Sequence, residues 1–543
     1  MKKTLAFVLT FIMLLTLAVP ALGAEKQGSD IPNIYLQGQG EYIYLPDGTP
    51  LFEGGDLPDG FLSEAVQGCM PYFKDAIKND DEESWAAYRE KFMEYFRPVF
   101  CKYALDKNGE ASDNSDIRWQ GWKSQPNTDE VRASKFSDGT YRFRSFNFYQ
   151  DWRRDPIENA GRLNSYIENV KIATGSAKVN LIGRCEGANV ILAYLAEYGY
   201  GSTNCVELYV QSANGVDLEN ALFANKMEFD GAALRRFKET NDLYEDMTNG
   251  LDQTIVELID AALEMTSDTM LLDAGLAGIQ ALAPKIYKEL IVYVLRESYG
   301  TMPGIWSLVG PDYYQDARKG VFSGYEEKYA CLLEKLDNYD AKVRQRLVEI
   351  IDGAVAAGVK VANFPKYGDF QVQPICDTNN EIGDNSVSLK FASFGATTAK
   401  YGSTLSDKYI ANAKKNGTDK YISPDKMVDA STVPASIRDT TWFIYGSEHR
   451  QFPDIIHDFM FKFLKADGNL TVFNDESAPQ YMVYSGSERD HTDTIVPMKE
   501  ENADTLDSGN IVFKNVNWKD MFMRFFKTVL NFLKAFLAKR SAA

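Results

Sequence analysis

The stretch KVNLIGRCEGANVILAYLAEY, residues 178–198, changes its period in the middle. Lys178–Ile182 is a short apolar run with β-branched residues and reads as a buried strand. Asn189–Tyr198 repeats its apolar residues at helical spacing. Gly183-Arg184-Cys185-Glu186-Gly187 makes a sharp turn between them. Upstream, Asp155-Pro156-Ile157-Glu158 starts a helix: Asp caps, Pro takes the first turn, and Glu follows the cap by three residues. Ile157, Ala160, Leu163, Ile167 and Val170 carry that helix to about Thr174. Downstream, Val206–Val210 is a second strand. Ile31–Leu36 is another, ended by Gln37-Gly38-Gln39-Gly40, and Tyr141–Phe148 alternates as a strand does. Strands alternating with helices predict a parallel sheet covered by helices, an α/β fold.

Further out the pattern changes. Phe61–Tyr103 reads as two helices and Asn108–Asp138 as loop. From Leu218 to about Ala357 nearly everything is helical in period, which predicts a large helical cap inserted after the strand Val206–Val210. Strand character returns at Lys360–Phe364 and Thr441–Tyr445, and Pro453–Leu464 is a helix. The expected organisation is a signal peptide over 1–24, a core from 25–216 and 358–468, a cap over 217–357, a mixed extension over 469–517 and an amphipathic helix over 518–543. The signal peptide rests on Lys2 and Lys3, the apolar run Leu5–Val19 and the small residues Ala21-Leu22-Gly23-Ala24, and it predicts a secreted or cell-surface protein. Trp518, Phe522, Phe525, Phe526, Leu533 and Leu537 give the last helix a broad apolar face with a basic rim. Contact of Trp518–Leu537 with a membrane surface and docking on the core are both open to it.

Composition excludes other classes. The 543 residues carry 77 acidic and 58 basic side chains, a formal charge of −19, so clustered phosphate contacts and nucleic-acid binding are not expected. With 3 His and 6 Cys, and no CxxC, neither a metal site nor a cofactor is expected. Cys69 and Cys101, on adjacent helices, are the expected disulfide pair if one forms.

The Gly-flanked turn around Cys185 sits between strand and helix, the context of a nucleophile elbow, G-x-S-x-G, with Cys in the place of Ser. Here the chain resembles the α/β-hydrolase superfamily, most nearly its lecithin:cholesterol acyltransferase-like lipase and esterase branch. The residues that carry this are Tyr149-Gln150-Asp151-Trp152-Arg153 with Asp155-Pro156, the run from Asn159 through Val190, and Gln211-Ser212-Ala213-Asn214-Gly215. They span about residues 141–215. The resemblance implies the order nucleophile, acid, His. His449 follows Thr441–Tyr445 and precedes a helix, which is where the resemblance puts the base; His457 lies inside that helix and His491 in a polar loop. Asp384, in Gly383-Asp384-Asn385-Ser386-Val387, resembles the acid turn. Asp493 in Thr492-Asp493-Thr494-Ile495-Val496-Pro497 resembles it as well, but no His follows. Asn515-Val516-Asn517-Trp518 resembles a His-bearing family stretch with Trp in the His place.

The expected site is therefore Cys185, Asp384 and His449, with an oxyanion hole from the backbone N–H groups of Glu186 and Gln39. Gln37 stands where the superfamily's oxyanion loop has His. Cys at the elbow resembles dienelactone hydrolases and polyhydroxyalkanoate synthases, and Glu186 departs from the uncharged residue usual there. The implied function is acyl cleavage or transfer on an ester or lipid-like substrate, through a Cys-His-Asp triad. An inactive hydrolase-fold binding module and an acyltransferase are the alternatives.

Overall fold

The computed structural model describes residues 31–39, 42–52, 61–118, 145–228, 230–231, 233, 280–368, 370–371, 375–486 and 492–500. The expected signal peptide, the helix over 518–543 and His491 lie outside them.

The core is built from β1 (Asn33–Leu36), β2 (Ser145–Phe148), α1 (Pro156–Thr174), β3 (Val179–Arg184), α2 (Glu186–Tyr198), β4 (Thr203–Tyr209), α3 (Asp217–Phe223), α4 (Ala330–Lys342), α5 (Leu347–Ala356) and β5 (Lys360–Phe364). Then come β6 (Lys366–Tyr367), β7 (Phe443–Tyr445), α6 (Asp454–Lys465), β8 (Tyr481–Ser485) and β9 (Thr494–Pro497). Strands β2, β1, β3, β4 and β5 lie side by side in that order, all parallel. Pro365 interrupts the edge between β5 and β6, since it has no N–H to give. The sheet continues across it: Trp442 N donates to Asn363 O at 2.9 Å, Ile444 pairs with Lys366, β8 runs parallel to β7, and β9 closes the edge antiparallel. Residues 469–517, read from the sequence as an extension, thus supply two further strands.

Alternation along the strands sets the layers. Leu181, Val206, Leu208, Val361 and Phe443 face one side, where they join Leu163, Ile167 and Val170 of α1, Val190 and Ile191 of α2, and Leu347 and Ile351 of α5. Ile182, Cys205, Ala362 and Ile444 face the other, against Ile456, Phe459, Met460 and Phe463 of α6. Helix α1 starts where its sequence says: Asp155 accepts from Ile157 N at 2.9 Å, Pro156 takes the first turn, and Gly175 closes the end in the left-handed region.

The helical region splits. Helix α5 and the end of α4 pack on the sheet with α2 and belong to the core layer. Residues 295–322 instead build a second cluster around Trp306, with Phe223, Trp152, Tyr103 and Leu332. A helical period is the same in a cap and in a covering layer, so it cannot separate the two.

All six cysteines are free thiols, which corrects the expected Cys69–Cys101 pair. Helices Phe61–Asn79 and Glu82–Phe96 form a hairpin, with the π-turn Arg97–Cys101 continuing the second. Cys69 lies mid-way along the first and Cys101 beyond the end of the second, about 13 Å apart along the axis at 1.5 Å per residue, too far for a disulfide.

Gly187 marks the closest approach of α2 to β1: a Cβ there would sit 2.4 Å from Leu36 O. Gly187→Ala must push backbone against backbone. A loss of about 1–3 kcal/mol is expected, read as a lower denaturant midpoint at unchanged slope.

Candidate active site

Every chemically loaded side chain of the expected triad emerges at the carboxyl ends of the parallel strands, where α/β sheets leave a crevice. Cys185 follows β3, Asp384 follows β6 and His449 follows β7.

Cys185 joins β3 to α2 with φ 52° and ψ −124°, a conformation that side-chain-bearing residues rarely adopt. Its N–H donates to Tyr209 O at 2.9 Å, and its carbonyl accepts from Ala188 N at 3.0 Å. The turn is affordable only between glycines. A Cβ on Gly183 would lie 2.9 Å from Ala188 N. Gly38, on the turn after β1, is pressed against the nucleophile, since a Cβ there would lie 2.8 Å from Cys185 Cβ and 3.4 Å from its Sγ. The strain holds the thiol out of the turn and into the crevice.

His449 is anchored twice to the acid. Its backbone N–H donates to Asp384 O at 2.7 Å, and Nδ1 lies 2.8 Å from Asp384 Oδ2. Asp384 is fully buried, and its other oxygen accepts from Ser386 N at 3.1 Å and Val387 N at 2.8 Å. With Nδ1 engaged, Nε2 is the ring nitrogen left for Cys185, and the two side chains are near enough for each to shift the other's charge. Lys366, wholly buried on β6, donates to Glu448 O at 3.3 Å and to Gln451 O, pinning the loop that carries His449. Burial holds its ammonium down at about 7, against the pull of Asp384.

The charges follow. Burial pushes the Cys185 thiol up, but the charge and hydrogen bond of His449, the Glu186 backbone N–H and the Ser212 hydroxyl outweigh it and hold the thiol below its ordinary value. Burial pushes the His449 imidazole down, yet Asp384 and Cys185 raise it to about 10. The His449 charge and the N-terminal dipole of the helix thus both favour the Cys185 thiolate. Since the thiol is depressed, its reactivity persists as pH falls below the ordinary thiol range and disappears only below the lowered value. Iodoacetamide should therefore label Cys185 ahead of exposed Cys331 below the ordinary thiol range in peptide mapping. Parallel pH profiles for the two would contradict the lowered thiol.

The expected residues Cys185, Asp384 and His449 come together. Asp493 immediately precedes β9 on the antiparallel edge, whereas the carboxylate on His449 is that of Asp384. His457 packs on the ring of Phe461, 4.5 Å away, within α6. The Glu186 N–H helps lower the Cys185 thiol, and the Gln39 side chain lies beside that of Glu186. Three contributors were not singled out from the sequence: Gly38, Ser212 and Lys366. Ser212 falls in the quoted turn Gln211–Gly215, so its hydroxyl was within sight; Lys366 is one lysine among many. Among the described residues, no group of three His, Cys, Asp or Glu side chains could hold a metal ion, and no helix is long and apolar enough to cross a membrane.

No family model and no curated protein matches the chain. Among solved structures, the crystal structure of the Tle4-Tli4 complex is similar at 13% identity over 62% of this chain and 75% of that chain, with a TM-score of 0.24. A likeness at that level carries no argument, and what the chain can do is argued from the site itself.

Proposed function

We propose that this chain is a secreted α/β-hydrolase-fold enzyme that cleaves carboxylic esters, lipid-like ones among them, through a Cys185–His449–Asp384 triad. One observation carries the reading: a cysteine held at φ 52° on a strand-to-helix turn lies beside a histidine whose Nδ1 is fixed 2.8 Å from a buried aspartate. A structural cysteine needs none of these features.

The Cys185 thiolate attacks the ester carbonyl carbon. A C–S bond forms and the π pair moves to oxygen, which the Glu186 N–H and the turn Gln37–Gln39 receive. The tetrahedral species collapses, the C–O bond to the alcohol breaks, and His449 Nε2 gives that oxygen its proton. Neutral His449 then takes a proton from water, whose oxygen attacks the thioester carbon and expels the thiolate. Asp384 holds the ring tautomer and its charge throughout.

A panel of nitrophenyl esters of increasing acyl length tests this. The expected result is a burst of nitrophenol equal to the enzyme present, followed by slower turnover, because thioester formation precedes its hydrolysis. Nitrophenol release no faster than with a Cys185→Ala protein at every chain length would overturn it.

A further inference from the structure

We propose that Gln150 is a positioning residue for the oxyanion hole: its side-chain amide fixes the Gln37 carbonyl and thereby presents the Gly38 N–H, within the turn Gln37–Gln39, to the oxygen that becomes charged when Cys185 attacks. This rests on the acyl-cleavage reading and adds to it a residue that acts through another.

The register of the sheet brings the parts together. β2 runs parallel to β1 with Phe148 level with Leu36, so the two chains leave the sheet side by side. Just beyond, Gln150 Nε2 donates to Gln37 O at 3.1 Å. The same oxygen lies against the start of α2, since a Cβ on Gly187 would sit 2.9 Å from it. The Gln37 carbonyl is thus caught between the Gln150 amide and the helix. The Gln37–Gly38 peptide is trans, and in a planar trans peptide the N–H points opposite to the C=O. Holding the oxygen therefore also sets the direction of the Gly38 N–H, which donates to no carbonyl among the described residues. Gly38 is pressed on the nucleophile, where a Cβ would lie 2.8 Å from Cys185 Cβ and 3.4 Å from its Sγ. A fixed, unspent N–H on a residue touching the nucleophile is what an oxyanion requires.

The chain that carries Gln150 is itself braced. The next residue, Asp151, pairs with Arg153 at 2.7 Å, both side chains wholly buried. Asn159 Nδ2 and Arg154 N donate to Asp151 O at 2.9 Å and 3.0 Å. The Gln150 side chain therefore starts from a fixed backbone.

Stability alone does not call for an amide here. Gln150 is 1% exposed, and its Oε1 has no hydrogen-bond partner among the described residues. Burying that oxygen unpartnered costs stability that an apolar side chain of the same length would spare. The use of the amide lies at its N–H end, on Gln37 O, and Gln150→Met should leave the protein folded.

Two reactions of the same sulfur separate positioning from support. An ester is attacked at its carbonyl, and the oxyanion must be received. Iodoacetamide is attacked at the carbon that bears iodine: the C–S bond forms, iodide leaves with its electron pair, and no oxyanion appears. Wild-type and Gln150→Met proteins are mixed with nitrophenyl butyrate and followed by the rate constant of the burst. They are also mixed with iodoacetamide and followed by peptide mapping at Cys185. Neither rate constant depends on the folded fraction. The burst should slow by about 10–100-fold in Gln150→Met while alkylation stays within about twofold of wild type. A burst as fast as that of the wild type overturns the role and leaves the ester-cleaving reading standing. Acylation and alkylation slowing together would place the effect on the nucleophile and overturn it as well. Where Gln150→Met does not fold, Gln150→Asn is read in the same way, its amide one methylene short of Gln37 O; failure of both to fold makes Gln150 a structural residue and overturns the role. A wild-type protein that shows no burst removes the ester-cleaving reading, and this role falls with it.

Discussion

Replacing Cys185 by Ala is expected to lower kcat for the best ester by about 10⁴–10⁶-fold, with the protein still folded. The size follows from the division of labour. Glu186 N–H and the turn after β1 remain in place and can still polarise a carbonyl, but no atom is left to form the thioester, and water must attack without the covalent step. Stability should change little, because the thiol is half-buried at the crevice floor and packs little of the core. Alanine also accepts φ 52° no worse than cysteine does. A Cys185→Ala protein that keeps a tenth or more of the wild-type rate would show that the turnover arises elsewhere.

Asp384→Asn carries the second-largest effect, a loss of about 10³–10⁴-fold in kcat. The backbone contact between His449 N and Asp384 O survives the change, and Ser386 N and Val387 N keep an oxygen to donate to, so the loop should hold its shape. What changes is the ring. An amide in place of the carboxylate withdraws the charge and hydrogen bond that raise His449, so the imidazole falls from about 10 toward its ordinary value. The His449 charge that stabilises the Cys185 thiolate falls with it, and the thiol rises. Two readouts should therefore move together: ester turnover drops, and iodoacetamide labelling of Cys185 near neutral pH slows. A loss of turnover with undiminished labelling would mean that Asp384 does not act through His449.

Much of this was legible because local chemistry and the fold agree. Gly183, Cys185 and Gly187 announce a tight turn between a period-two and a period-3.6 segment, and the close contacts to Ala188 and Leu36 are what those glycines permit. Asp155-Pro156 marks a helix start that the side-chain cap fulfils. Chain order pointed to His449 and Asp384 among few histidines and many acids.

Other features depend on contacts distant in sequence. Ser212 and Lys366 matter through what folds against them, and no spacing in the chain encodes that. The strands Tyr481–Ser485 and Thr494–Pro497 are short and separated by a polar loop; the second alternates only between exposed and half-buried, so its period carries little hydrophobic contrast. Cys69 and Cys101 sit on adjacent helices, as the sequence suggested, but adjacency does not fix their height along the hairpin axis.

The central claim is that Cys185 carries the acyl group. Wild-type protein mixed with nitrophenyl butyrate, quenched in acid within the burst and mapped by mass spectrometry should show one butyryl group on the peptide containing Cys185. Asp384→Asn should show the same adduct forming more slowly. Nitrophenol released in a burst with the acyl group on another residue, or with Cys185 unmodified throughout, would contradict the account.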